Sequence, residues 1–157
     1  LRFNIEEVPV VGAKAAGVKA MNLKEDDVLQ SAFVCNTSSF YLLTQRGSLK
    51  RVSLEEIPAT SRAKRGLQVL RELKNKPHRV FFAEQGFVGD LFSTEMDGND
   101  QTLLVQSNKG TVYESRLQDL NLSERTSNGS FISDTISDEE VFDAYLQEVY
   151  TELESNQ

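Results

Sequence analysis

Seven basic residues between positions 40 and 71 (Arg46, Lys50, Arg51, Arg62, Lys64, Arg65 and Arg71) stand in a chain whose formal charge is −7. Closely spaced ammonium and guanidinium groups neutralise the phosphates of a polyanion, and release of condensed counterions makes such contacts salt-sensitive and nearly sequence-blind. No comparable grouping supports nucleophilic or acid–base chemistry. His78 is the single histidine, with no nucleophile or orienting carboxylate spaced around it. Cys35 is the single cysteine, which excludes an intrachain disulfide, and one Cys with one His makes no structural zinc set. Cys35 is expected to pack as a small apolar group.

The charge is segregated. Residues 45–79 hold ten Lys or Arg against three acids, residues 80–133 three against eight, and residues 134–157 eight acids and no base. Outside that last segment the chain is near neutral, so the global sign conceals a basic middle. Length and composition are those of one globular domain. No apolar run is long enough to cross a bilayer, and residues 1–11 show neither a secretory nor a transit pattern, which places the chain in the cytoplasm and off the membrane. The opening Leu1 suggests a piece of something larger.

The elements that carry the basic residues repeat. RFNIEEVPVVGAKAAG (2–17) lies ungapped on RVSLEEIPATSRAKRG (51–66), with Arg2/Arg51, Glu6/Glu55, Glu7/Glu56, Pro9/Pro58 and Gly17/Gly66 identical. A third copy, at residues 103–129, matches at Gly47/Gly110, Leu54/Leu117, Arg62/Arg125 and Gly66/Gly129. Residues 1–23 read as the back half of a unit, 24–73 as a full one and 74–133 as another, with an insertion near 95–100.

Each unit reads as β structure. The apolar runs at 40–44 and 102–106 end in Gln-Arg-Gly and Asn-Lys-Gly turns, where glycine takes positive φ cheaply. An unbroken run such as FYLL predicts burial on both faces, as in an inner strand between neighbouring sheets. Residues 48–54 return as a strand; Pro58 breaks the ladder, and a Gly-ended loop leads to a strand at 67–70. Further strands are predicted at 80–83 and 86–93. Four short strands in roughly 50 residues fit a propeller-like blade. In residues 134–157, Ser137 with Glu140 forms a capping box, and Val141, Phe142, Tyr145, Leu146, Val149, Tyr150 and Leu153 are spaced for one helix face. This acidic tail is expected to be a helix packed on the last blade, with a partner-docking helix or a disordered tail as the alternatives, and to lie near the basic rim as a brake on polyanion binding.

With the repeat established, YLLTQRGSLKRVSLEEIPATSRAKRGLQVLRELKNKPHRV (41–80) resembles the C-terminal domain of the A subunit of bacterial, Gram-positive-type DNA topoisomerase IV, which is related to the DNA-wrapping domain of the gyrase A subunit. The resemblance covers residues 1–133 and implies an all-β fold: a partial β-pinwheel of about two and a half propeller-like, four-stranded blades, followed by the acidic segment. TSRAKRG (60–66) corresponds to the gyrase box of Gln-Arg-Arg-Gly-Gly-Lys-Gly type at Arg62, Arg65 and Gly66, and departs from it at Thr60, Ser61, Ala63 and Lys64. That departure implies incomplete wrapping of DNA.

The resemblance further implies a non-catalytic module that contacts and bends duplex DNA along its basic rim. Strand passage would occur elsewhere in an ATP-dependent type II topoisomerase, whose ATP and Mg sites lie in other domains; no cofactor is expected in this chain. Its expected partners are duplex DNA, the ATPase B subunit, and the N-terminal cleavage part of the same A subunit, with the chain itself monomeric and nucleoid-associated. The seven basic residues named above are the expected DNA contacts, on hairpin tips, a strand edge and the Gly-ended loop. The alternative is a protein-interaction propeller whose acidic residues recruit a basic partner.

Overall fold

The computed structural model describes residues 1–86 and 101–148. There the strands form two antiparallel sheets, and helical geometry is confined to short 3-10 turns. The apolar run at 40–43 makes the centre of the first sheet. Strand β1 (Ser39–Thr44) is buried along its whole length and pairs with β2 (Ser48–Ser53) through a turn that Gly47 closes at φ 77°. Its other edge pairs with β3 (Val80–Glu84). The second sheet is centred on β4 (Gln101–Ser107), flanked by β5 (Val112–Arg116) and β7 (Val141–Glu148). A two-residue strand, β6 (Ser130–Phe131), pairs back onto β2, so the first sheet runs β3-β1-β2-β6. The sheets therefore interleave the sequence units: β3 and β6, both from residues 74–133, complete a sheet begun within residues 24–73.

Alternation along β1 sends its side chains to opposite faces. Phe40 and Leu42 join Val52, Leu54, Ile57 and Leu70 in one core, with Phe33 against it. Tyr41 and Leu43 join Leu49 and residues of the second sheet, Leu103 and Val105, in another, together with Leu117, Ile136 and Val141. This two-sided burial is the arrangement the unbroken FYLL run predicts. Strand β4 alternates between buried and part-exposed residues over 101–105, as expected of a sheet packed on one face.

Three expectations are corrected. The helix expected from residue 137 onward is a 3-10 turn (Thr135–Asp138) followed by β7, which zips onto β4 from Gln101 to Ser107. The apolar residues at 141, 142, 145 and 146 fit a helix face, but β4 offers an unpaired edge, and its ladder of backbone hydrogen bonds outweighs local periodicity. The expected strand at 67–70 is irregular chain, although Leu70 is buried in the first core. Cys35 is exposed rather than packed. Most of the strand expected at 86–93, the insertion near 95–100, and residues 149–157 lie outside the described residues.

Candidate nucleic-acid interface

The Gly-ended loop at 60–66 leans on the first unit through backbone bonds. Thr60 N donates to Arg2 O (2.9 Å), Ala63 N to Ala20 O (2.8 Å), and Asn22 N to Lys64 O (2.9 Å). The side chain of Arg62 turns the same way. Its backbone amide donates to Glu7 Oε2 (2.8 Å), its Nε to Glu7 O (3.2 Å), and its Nη1 to Lys19 O. One unit later three of these bonds recur. Ser123 N donates to Arg51 O (2.8 Å), Arg125 N to Glu56 Oε2 (2.8 Å), and Arg125 Nη1 to Gln68 O. Glu7/Glu56 and Arg62/Arg125 are both matched pairs of the sequence repeat, which is the signal that could have revealed these contacts.

Lys50 is corrected outright as a candidate phosphate contact: it is 1% exposed. Its Nζ donates to Val69 O, Arg125 O (2.7 Å) and Ser127 O (2.7 Å), binding the loop at 123–129 to the unit before it. Burial pushes its ammonium down to about 8, against an upward pull from Glu56 and with a further push from Arg125. Gly129 completes this junction: at φ 73°, a Cβ there would stand 2.5 Å from Leu49 O, so only glycine fits.

The remaining candidates divide into two surfaces. Lys64, Arg65 and Arg71 are exposed, and no hydrogen bond or ion pair engages their charged groups among the described residues. Arg51 is half-buried, with Nε donating to Ser39 Oγ (2.9 Å) and its guanidinium 5.9 Å from the Tyr41 ring centre. Arg46, on the β1–β2 turn, donates from Nη1 to Lys76 O (3.0 Å) and contacts His78 Nε2 (3.0 Å), while lying 5.5 Å from the Phe131 ring centre. Burial and the neighbouring Arg46 hold His78 below the ordinary histidine range, and its Nδ1 contacts Thr44 Oγ1 (3.1 Å). A shared hydrogen-bond network with Thr44 and Arg46 thus engages both ring nitrogens of His78.

Arg46 also lines an open groove of about 680 Å³ together with Lys76 and Arg79 and with the acidic Asp138, Glu139 and Glu140. Lys76 and Arg79, which the repeat does not single out, join the candidate basic surface here. Glu139 is almost fully buried and pairs with Lys109 at 3.8 Å.

Two packed antiparallel sheets, built from a repeat and joined by irregular chain that carries exposed cations, define a propeller-like domain class. A family model described as DNA gyrase C-terminal domain, beta-propeller, matches residues 1–36 and 39–85. The A subunit of DNA topoisomerase 4 from Streptococcus pneumoniae serotype 4 is 91% identical over 97% of this chain, and that from Bacillus subtilis 47% identical over 85%. The chain spans about a fifth of these curated relatives, 19% and 15% of their lengths. The structure resembles a crystal structure of the C-terminal domain of DNA topoisomerase IV, with TM-score 0.77 and 36% identity over 93% of this chain and 42% of that one. A gyrase A C-terminal domain shares the fold at TM-score 0.64 and 18% identity, covering 90% of this chain and 45% of that one. The chain belongs to the gyrase A C-terminal domain family, as the C-terminal region of a topoisomerase IV A subunit.

Proposed function

We propose that this chain is a non-catalytic DNA-binding module that holds and bends duplex DNA for a type II topoisomerase. The observation that carries the reading is the exposed set Lys64, Arg65 and Arg71, whose charged groups have no partner among the described residues and the first two of which sit on a Gly-ended loop tied by backbone bonds to the first unit. Arg46, Lys76 and Arg79 in the groove extend the cationic surface. Strand passage, with ATP and Mg, belongs to other parts of the parent protein. The partners we infer are the ATPase B subunit together with the cleavage part of the parent A subunit, with this chain monomeric and working at the nucleoid in the cytoplasm.

About five phosphate contacts give a log–log salt slope of roughly −4 to −5. Bending a site of 20–30 base pairs by 40–90° costs on the order of 1–6 kcal/mol, which two blades must supply together, so this stretch alone binds in the high-micromolar range, typical of non-specific contacts. The test is an electrophoretic titration against salt with Lys64→Glu/Arg65→Glu/Arg71→Glu. The reading expects binding much weakened at low salt and a slope reduced in magnitude by about two to three. Unchanged binding would instead favour a protein-recruiting domain, for which the acidic groove lining at 138–140 is the candidate surface.

A further inference from the structure

We infer that Arg62 and Arg125 are positioning residues that lock each Gly-ended loop onto the preceding unit, and that the Arg62 lock holds Lys64 and Arg65 in line for DNA; the second half rests on the DNA-binding reading above. Two observations separate a lock from a phosphate contact. First, the guanidinium donors are turned inward: Arg62 Nε and Nη1 reach the carbonyls of Glu7 and Lys19, two separated acceptors that a planar fork spans and a single ammonium does not.

Second, the lock and the charge part company along the repeat. In the third unit the positions of Lys64 and Arg65 are Ser127 and Asn128, so that loop has lost the neighbouring cations. Arg125 remains, and makes the same backbone bond to a glutamate and the same Nη1 bond to a carbonyl of the unit before it. An arginine kept where its cationic neighbours are gone is placed by the junction rather than by a polyanion. Without the lock, the Ala63 and Asn22 bridges remain as the backbone ties nearest Lys64. The loop tip would then sample orientations that no longer follow the curve of a duplex.

The experiment compares Arg62→Gln and Arg62→Lys with the unaltered chain in two measurements. In native-state amide exchange, both variants should speed exchange at Thr60 and Ala63 while leaving the amides of β1 and β2 unchanged; equal exchange at Thr60 and Ala63 would overturn the lock. In DNA titrations against salt, both variants should weaken binding several-fold with the slope unchanged. A slope lowered by about 0.9 in Arg62→Gln, with full activity retained by Arg62→Lys, would mark a direct phosphate contact and overturn the proposal. If the unaltered chain shifts no DNA at low salt, the DNA reading and the role of Lys64 and Arg65 fall, whereas the exchange result still decides the lock. Should Arg62→Gln not fold, Glu56→Ala, which removes the Arg125 amide's acceptor together with a carboxylate that favours charged Lys50, is expected to speed exchange at Ser123 and Arg125; no change there would count against the lock.

Discussion

Lys50 shows how a residue chosen for its charge can serve an opposite purpose. It lies in β2 between Leu49 and Arg51, where a strand's alternation turns neighbouring side chains to opposite faces, and its ammonium is spent on carbonyls at the junction between units. Replacing it with Met leaves those carbonyls without their donor, and we expect a loss of about 1–3 kcal/mol at pH 7 in chemical denaturation. The pH dependence has a definite sign. Folded Lys50 releases its proton near 8, below the ordinary 10.5, so between these values the unfolded chain binds the extra proton and stability rises with pH. The advantage of the unaltered chain over Lys50→Met should therefore widen from pH 8 to pH 10. A narrowing gap would show that the ammonium is not desolvated as its surroundings require.

Among the elements, the turn at 135–138 matters as much as the strands. Ile136 is fully buried and fills the space over Gly47, where a Cβ would overlap it. Ile136→Ala should cost about 2–5 kcal/mol. Gly47→Ala should be destabilising through both its positive φ and this overlap, so that the double variant loses less than the sum of the two, measured as a denaturation cycle. Much of this architecture was legible: β1 and β4 follow from apolar runs that end in glycine turns, β2 from the return after such a turn, β3 from its own apolar run, and the burial of β1 on both faces from its unbroken pattern. Strand β7 was not, although VFDAY at 141–145 echoes VFFAE at 80–84. The two occupy equivalent places, each pairing antiparallel with a central strand and each with a register shift at its start. A changed spacing hid the echo, and a helical period in the same residues supplied a competing pattern. Of the candidate site, Lys64, Arg65 and Arg71 kept the exposure that a loop implies, whereas Arg62 and Lys50 were claimed by partners from other units. Such partners are visible only once Glu7/Glu56 is read together with Arg62/Arg125.

At the scale of the molecule, acidic and basic surfaces meet in one groove, where exposed Asp138 and Glu140 share the lining with Arg46, Lys76 and Arg79. Carboxylates so placed repel an approaching phosphate backbone, and screening limits their reach to about 10 Å at 0.1 M salt. Neutralising them as Asp138→Asn/Glu140→Gln should tighten DNA binding at low salt and matter less at high salt. Equal affinity at low salt would show that they do not act as a brake. Deletion of residues 134–157 is no test of this, because it removes β7 and Ile136 from the second core.

The loan of β6 to the first sheet has a consequence for biosynthesis. Apart from a single bridge from Leu122 and Ser123 to Arg51, strand β2 has no partner strand on its outer side until Ser130 and Phe131 arrive, long after β2 itself has left the ribosome. At about 5–20 residues per second, that delay is roughly 4–16 s, far longer than the microseconds a hairpin needs to form. A nascent β1–β2 ribbon thus waits with one margin bare, and chaperone occupancy during that interval should decide how much of the polypeptide reaches its native form.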